Sequence, residues 1–212
     1  ESGIKAPPAA VPVSFVPLAF GPTRGLVKVE DGCNMTCSFC IIPSTRGSQR
    51  SRSIPEVVAE VRSLAEGGYS EVVVTGVQIS SYRWHDLRLY DLLQALLRET
   101  DVSRLRLTSI APWEVDDRLF ELLHHPRLCR HFHFSLQSGC TETLRRMRRP
   151  YSAGQFAALV QRARREVPGV AITTDVIAGF PGETEREFED SLAFVRQMEF
   201  ARVHVFPYSP RA

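Results

Sequence analysis

Cys33-Asn34-Met35-Thr36-Cys37-Ser38-Phe39-Cys40 is the stretch that decides how this 212-residue chain is read. It follows an apolar, strand-like run, Leu26 to Val29, and the turn residues Asp31-Gly32. The C-x3-C-x2-C spacers are too short for secondary structure and long enough for the chain to turn back, so the three thiolates can converge. Two metal chemistries compete for such a loop. A structural zinc takes four ligands, and no fourth lies nearby, since Cys129, Cys140 and the histidines are distant in sequence. Four-iron clusters are held by Cys thiolates, normally four; with three, one iron stays open to something other than protein. The spacing favours iron–sulfur over zinc.

Composition sets the surroundings of that loop. Length suffices for one sizeable core or two small ones. No apolar run is long enough to span a bilayer and nothing reads as a signal peptide, so a cytoplasmic protein without a membrane partner is expected. Five cysteines, an odd number clustered in a loop, argue for metal binding in a reducing compartment rather than a disulfide framework. A net charge of +2 does not by itself demand a polyanionic partner. Only Lys5 and Lys28 are lysines, a bias that genome composition explains, although Arg does suit bidentate phosphate recognition.

Outward from the cysteines, the pattern is repetitive in type. Residues 1–22, with five prolines and no helical period, read as an extended linker from a missing N-terminal domain. Residues 23–212 read as one domain. Strand-like runs fall at Leu26–Val29, Glu71–Thr75, Arg104–Ser109, His131–Leu136, Val170–Ile177 and Ala201–Phe206. Helical stretches lie between them at Pro55–Glu66, Leu87–Glu99, Val115–His124, Ser152–Glu166 and Glu185–Met198, with a shorter one at Thr141–Met147. Ser53-Ile54-Pro55-Glu56 spells a capping box, Thr184 precedes Glu185 and Glu187 in the same way, and Gly67-Gly68 ends the first helix. Strand alternating with helix at crossover spacing implies βαβ units on a parallel sheet. Six units are too few for a closed eight-fold barrel. The fold class expected is therefore α/β, a partial, TIM-like (βα)6 barrel with its chemistry at the C-terminal strand ends, where the cysteine loop lies.

Several segments together resemble a known family. Val27-Lys28-Val29-Glu30-Asp31-Gly32-Cys33-Asn34, Ile41-Ile42-Pro43-Ser44-Thr45-Arg46-Gly47 and Arg50-Ser51-Arg52 look like the radical S-adenosylmethionine (radical SAM) core of the methylthiotransferases. So do Ser135 to Cys140, Thr173 to Thr184 and Phe206 to Ser209, in order, from about residue 24 to the end. The resemblance implies a barrel of the radical SAM type, a [4Fe–4S] cluster on Cys33, Cys37 and Cys40, and SAM chelated to the open iron. A 5′-deoxyadenosyl radical would then take hydrogen from C2 of a modified adenine, with no side chain acting as acid or base. Thr75-Gly76-Val77-Gln78, Gln137 to Cys140 and His204 to Tyr208 look most like the branch acting on N6-threonylcarbamoyladenosine beside the tRNA anticodon. The other branches act on isopentenyladenosine or on an aspartate of a ribosomal protein. Outside enzymes, a zinc-stabilised RNA-binding module is the competing reading. The implied partners are tRNA and an electron donor such as flavodoxin or ferredoxin. A second [4Fe–4S] cluster, the sulfur-donating part, belongs only to the full-length family pattern.

Candidate SAM contacts follow from strand ends and from that resemblance. Phe39 beside the cluster and Phe206 on the last strand are expected to pack near the adenine, each with plain core packing as the alternative. Gly76 would let a ligand approach the backbone, and Gln78 would reach the methionine moiety, against a plain strand-end turn. Ser135 and Gln137 end an aromatic strand and need polar partners. Asp175 interrupts an apolar strand; ribose hydroxyls or a structural Arg are its two expected partners. Gly179, in Gly179-Phe180-Pro181-Gly182, gives a tight turn against the adenine. Arg46, Arg50, Arg148 and Arg149 are candidates for tRNA phosphates or the SAM carboxylate, against an ordinary solvated face. Cys129 and Cys140 read as packing residues, and the histidines show no trusted metal spacing.

Overall fold

A computed structural model describes residues 23–210. The segment expected to be a linker, 1–22, lies outside the described residues. Six strands run parallel in chain order: β1 (Arg24–Lys28), β2 (Glu71–Thr75), β3 (Arg104–Leu107), β4 (His131–Gln137), β5 (Ala171–Ala178) and β6 (Arg202–Pro207). They form two three-stranded sheets, β1-β2-β3 and β4-β5-β6. Single parallel bridges, Leu105 with Leu128 and Ile110 with Phe134, close the seam between β3 and β4. The result is an α/β partial barrel of six strands, as the spacing implied.

Helices α1 (Ile54–Glu66), α2 (Leu89–Glu99), α3 (Arg118–Leu122), α4 (Thr141–Arg146), α5 (Ala153–Glu166) and α6 (Glu185–Gln197) cover the sheets. The capping boxes at Ser53–Glu56 and Thr184–Glu187 both form. Strand alternation decides which face meets the helices. In β4, Phe132, Phe134 and Leu136 are buried outward, where Phe132 meets Phe120 of α3 and Phe134 meets Phe156 of α5. His131, His133, Ser135 and Gln137 occupy the opposite, half-buried face.

Three local features depart from the expected elements. Leu87-Arg88 is not the start of a helix but one side of a two-residue antiparallel ribbon with Arg83-Trp84. The helix begins at Leu89, because the Asp91 carboxylate accepts from the Arg88 N–H at 2.8 Å and caps it there. The helix expected over Val115–His124 shrinks to Arg118–Leu122, since Asp116 accepts from the Arg118 N–H at 3.0 Å and holds a turn. A short helix, Ile42–Arg46, follows the cysteines. Among the described residues no helix is long and apolar enough to cross a membrane.

Candidate cluster and cofactor site

The cysteine loop is held down from two sides. Gly32 has φ +76, and a Cβ there would lie 2.3 Å from the Ser48 carbonyl oxygen, so only glycine lets the loop cross residues 47 and 48 so closely. The Cys33 N–H donates to Gly47 O at 3.1 Å. On the far side, the Ser38 N–H donates to Met147 O and the Ser38 hydroxyl to Arg146 O at 2.8 Å. Arg146 in turn forks onto Glu187 of α6 at 2.9 and 2.7 Å. That fork holds the Glu187 carboxyl down at about 2.

This anchoring turns Cys33, Cys37 and Cys40 into one cavity of about 250 Å³ at the C-terminal strand ends. Phe39, Gln78, Ser135, Gln137, Asp175 and Arg149 share its wall. Of the other expected contacts, Arg46, Arg50 and Arg148 are exposed and outside it. Arg46 pairs with Asp31 at 3.3 Å and Arg50 donates to Arg46 O. Gly76 also lies outside the wall, and its smallness has an internal cause: a Cβ would stand 2.8 Å from Glu30 Oε2. Gly179 (φ +73) donates its N–H to Glu183 and does not line the cavity. Phe206 shares the inner face with His204 by alternation, yet it is half exposed, because β6 is an edge strand.

The cavity wall is polar where β4 and β5 end and aromatic on the other side. Asp175 has neither of its expected partners; instead His133 Nε2 lies 3.1 Å from one carboxylate oxygen and His204 Nδ1 3.2 Å from the other. Burial resists ionisation of Asp175, but those two histidines outweigh it and bring the carboxyl below its ordinary value. Gln137 has φ +70 at the irregularity in the β4–β5 pairing, and Ser109 has φ +52 at the end of β3. Two side-chain-bearing residues in the left-handed region on one cavity wall mark a backbone shaped for a ligand. Arg149 lies within 6 Å of three aromatic rings, Phe39 (5.5 Å), Trp113 (5.2 Å) and Tyr151 (5.9 Å), and its guanidinium reaches Cys37 Sγ at 3.4 Å. Its Nε is buried without a partner.

Sequence reading missed Ser109, Trp113, Tyr151 and Glu30. Glu30 is fully buried, accepts from the Gln78 N–H at 3.0 Å, and leaves Oε1 without a partner. A charged residue just before the cysteine loop was a visible signal; the others take their place only through tertiary packing.

The donor set fits a multi-iron cluster. Three thiolates around one tetrahedral zinc, at about 2.3 Å each, would sit about 3.8 Å apart. Among the described residues, the only His/Cys/Asp/Glu trio with ligand atoms all within 4.8 Å of one another is His133, Asp175 and His204, which hydrogen bonds already join. Cys33, Cys37 and Cys40 do not form such a trio. Burial above all, with Cys37, Cys40 and Glu30 adding to it, pushes the Cys33 thiol up, against the opposing Met35 N–H. A buried thiol that resists ionising is one a cationic centre relieves.

A partial parallel barrel with three thiols in a cavity at its C-terminal mouth is the frame of a metal-cluster protein. A profile of the radical SAM superfamily matches residues 27–195, and the chain belongs to that superfamily, whose cofactors are a [4Fe–4S] cluster and SAM. It is 40% identical over 202 residues to the threonylcarbamoyladenosine tRNA methylthiotransferase MtaB of Bacillus subtilis (strain 168), covering 92% of this chain and 44% of that protein. It is also 40% identical over 196 residues to the tRNA-2-methylthio-N(6)-dimethylallyladenosine synthase of Geobacillus thermodenitrificans (strain NG80-2), covering 90% and 37%. The chain thus spans less than half the length of these relatives. In fold it is similar to the radical SAM methyltransferase TsrM of Kitasatospora setae (TM-score 0.72, 21% identity, 87% of this chain and 36% of that one). It is also similar in fold to methylornithine synthase, PylB (TM-score 0.65, 16% identity, 90% and 56%).

Proposed function

We propose that this chain is the radical-generating module of a tRNA methylthiotransferase that adds a methylthio group to N6-threonylcarbamoyladenosine. The observation that carries the reading is the convergence of Cys33, Cys37 and Cys40 on a cavity whose wall also holds Gln78, Ser135, Gln137, Asp175 and Arg149. The similarity to two kinds of tRNA methylthiotransferase supports the reaction class, and the resemblance of Thr75 to Gln78, Gln137 to Cys140 and His204 to Tyr208 to the threonylcarbamoyl branch favours that substrate.

In this reading Cys33, Cys37 and Cys40 would hold a [4Fe–4S] cluster, with SAM bound beside it in the same cavity. When bound, cluster and SAM supply reductive cleavage of a sulfonium, and with it the means to break an unreactive C–H bond. The protein's part is binding, orientation and exclusion of water. Arg149, caged by aromatic rings and without a carboxylate partner among the described residues, is held out toward the SAM carboxylate. Asp175, its geometry set by His133 and His204, accepts from ribose hydroxyls. Gln78 is fixed on one side by Glu114, whose carboxylate accepts from its Nε2 at 2.6 Å, and offers Oε1 beside Cys33. Trp113 and Phe39 form the apolar wall that keeps water out, with Tyr151 stacked on Trp113. The basic residues outside the cavity, Arg46, Arg50 and Arg148, are left for tRNA phosphates. Sulfur donation and the electron donor lie with the rest of the enzyme and its partners.

Anaerobic iron–sulfide reconstitution tests the core of this. The chain is expected to absorb broadly in the visible and, once reduced, to release 5′-deoxyadenosine from SAM. Cys37→Ala is expected to lose both signals; retention of both would sink the cluster assignment. The substrate is tested separately, by nucleoside analysis of tRNA from a deletion strain with and without the full-length gene restored. Unchanged methylthio-threonylcarbamoyladenosine after deletion would refute the branch.

A further inference from the structure

A second cavity, of about 380 Å³, adjoins the cysteine cavity at the same mouth of the barrel. Two chain segments form the common wall. Gln78 lines the cysteine cavity and Ser80 and Ser81 line this one; Ala111 and Trp113 line the first, Glu114 and Asp116 the second. Hydrogen bonds cross the partition: Gln78 Nε2 to Glu114 at 2.6 Å, and the Ala111 N–H to Ser80 Oγ at 2.9 Å. Gln49 joins the loops, since its N–H donates to Asn34 of the cysteine loop and its side chain to Ser81 O.

The outer side of this cavity is the ribbon whose second side, Leu87-Arg88, sequence reading took for the start of a helix. Arg83 and Arg88 stand directly opposite one another across it, and both line the cavity. Like charges opposed on a ribbon repel, and among the described residues neither side chain makes an ion pair. Neither carboxylate on the cavity wall pairs with them. Asp116 is forked by Arg118 at 3.0 and 2.6 Å, and Glu114 is held by Gln78. An opposed, unpaired pair of arginines facing a polar cavity of ligand size is arranged for an anion.

We infer that this second cavity is the subsite for the N6 substituent of the modified adenosine, with Arg83 and Arg88 holding the threonyl carboxylate. The inference rests on the proposed substrate branch and goes beyond it by naming the residues that distinguish the two substituents. Threonylcarbamoyl brings a carboxylate, a hydroxyl and a carbamoyl group, which Arg83, Arg88, Glu114 and the two serines can meet. Dimethylallyl is a hydrocarbon and would strip water from two arginines without repaying either. A tRNA phosphate is the other anion that could reach the pair.

Equilibrium dialysis of the chain against free nucleosides separates these, because nucleosides carry no phosphate. The probes are N6-threonylcarbamoyladenosine, its methyl ester and N6-isopentenyladenosine. The acid is expected to bind about tenfold or more tighter than the ester. Arg83→Gln and Arg88→Gln are each expected to remove most of that difference while leaving the ester's affinity unchanged, which also certifies the fold. Equal losses for acid and ester would mean a structural role and overturn the assignment. So would variants that weaken tRNA binding yet leave the nucleosides alone, or an acid that fails to bind at millimolar concentration. A preference for the acid that ignores both substitutions would reject the subsite and leave the substrate branch standing. A preference for isopentenyladenosine would reject both.

Discussion

Glu30 shows what a single residue does for the site without touching a ligand. Its Oε2 accepts from the backbone at the end of β2, and Gly76 makes room for it, so the carboxylate sets the position of Gln78 against the cysteine loop. Burial raises its pKa above the ordinary 4.5, more than the Gln78 and Val77 N–H groups lower it. The folded chain therefore holds this proton more tightly than the unfolded chain does. The destabilisation is absent below about 4.5 and grows as pH rises through the folded pKa. Glu30→Gln keeps an oxygen for the two N–H donors and removes the buried charge. It is expected to raise the melting temperature at neutral pH and to change it little near pH 4.5; scanning calorimetry at the two values checks this, and an equal shift at both would reject the buried charge as the cause. At this scale legibility was uneven. The thiols could be read because their spacing is local, and Ser135, Gln137 and Asp175 because a polar residue stands out in an apolar strand. Trp113 and Ser109 could not be read, because only the approach of β3 to β4 gives them a shared wall.

Among elements, the barrel is tied at the end opposite the site. Glu71 opens β2 and is nearly buried, and three arginines from the strands on either side reach it: Arg24 at 2.8 Å, Arg104 at 3.0 Å and Arg106 at 2.8 Å. Burial works against the charge, but Arg106 first, then Arg104 and Arg24, outweigh it and keep the carboxyl below its ordinary value. That contribution is full above the unfolded pKa and is lost as pH falls through the folded one. Glu71→Gln is expected to cost roughly 2–4 kcal/mol at neutral pH, the lower end reflecting how exposed Arg24 and Arg104 are. Urea unfolding should show the gap between variant and parent narrowing toward acid, and a gap that stayed constant would remove the charge from the explanation. The long elements were legible because period and caps repeat over many residues, as at Ser53–Glu56 and Thr184–Glu187. The ribbon of Arg83-Trp84 with Leu87-Arg88 was not, since two residues a side carry no period and the apolar Leu87 extends the helical pattern that follows it.

For the whole molecule, a cavity at the mouth requires a barrel interior unlike a packed core. Where closed barrels fill the centre with branched apolar side chains, here a polar column runs up β4, β5 and β6. His131 and His133 share the Thr173 hydroxyl at 3.1 and 3.0 Å, and His133 and His204 share Asp175. The column orients Asp175 at the cavity wall, and its cost falls at the lower end. His131 is half-buried with Nδ1 unpartnered, and burial first, then the charges of Arg106 and His133, push its pKa down to about 4 against the opposing Leu107 backbone. The unfolded chain therefore takes up this proton first as pH falls. The stability linked to it is full above about 6.5, declines between about 6.5 and 4, and levels off below. His131→Asn removes the titrating group and keeps a polar side chain near Thr173. Urea titrations of the apo chain between neutral pH and about pH 5 are expected to show a clear loss of stability in the parent and a smaller one in the variant. Parallel slopes would show that the acid sensitivity lies elsewhere than in the column that sets Asp175.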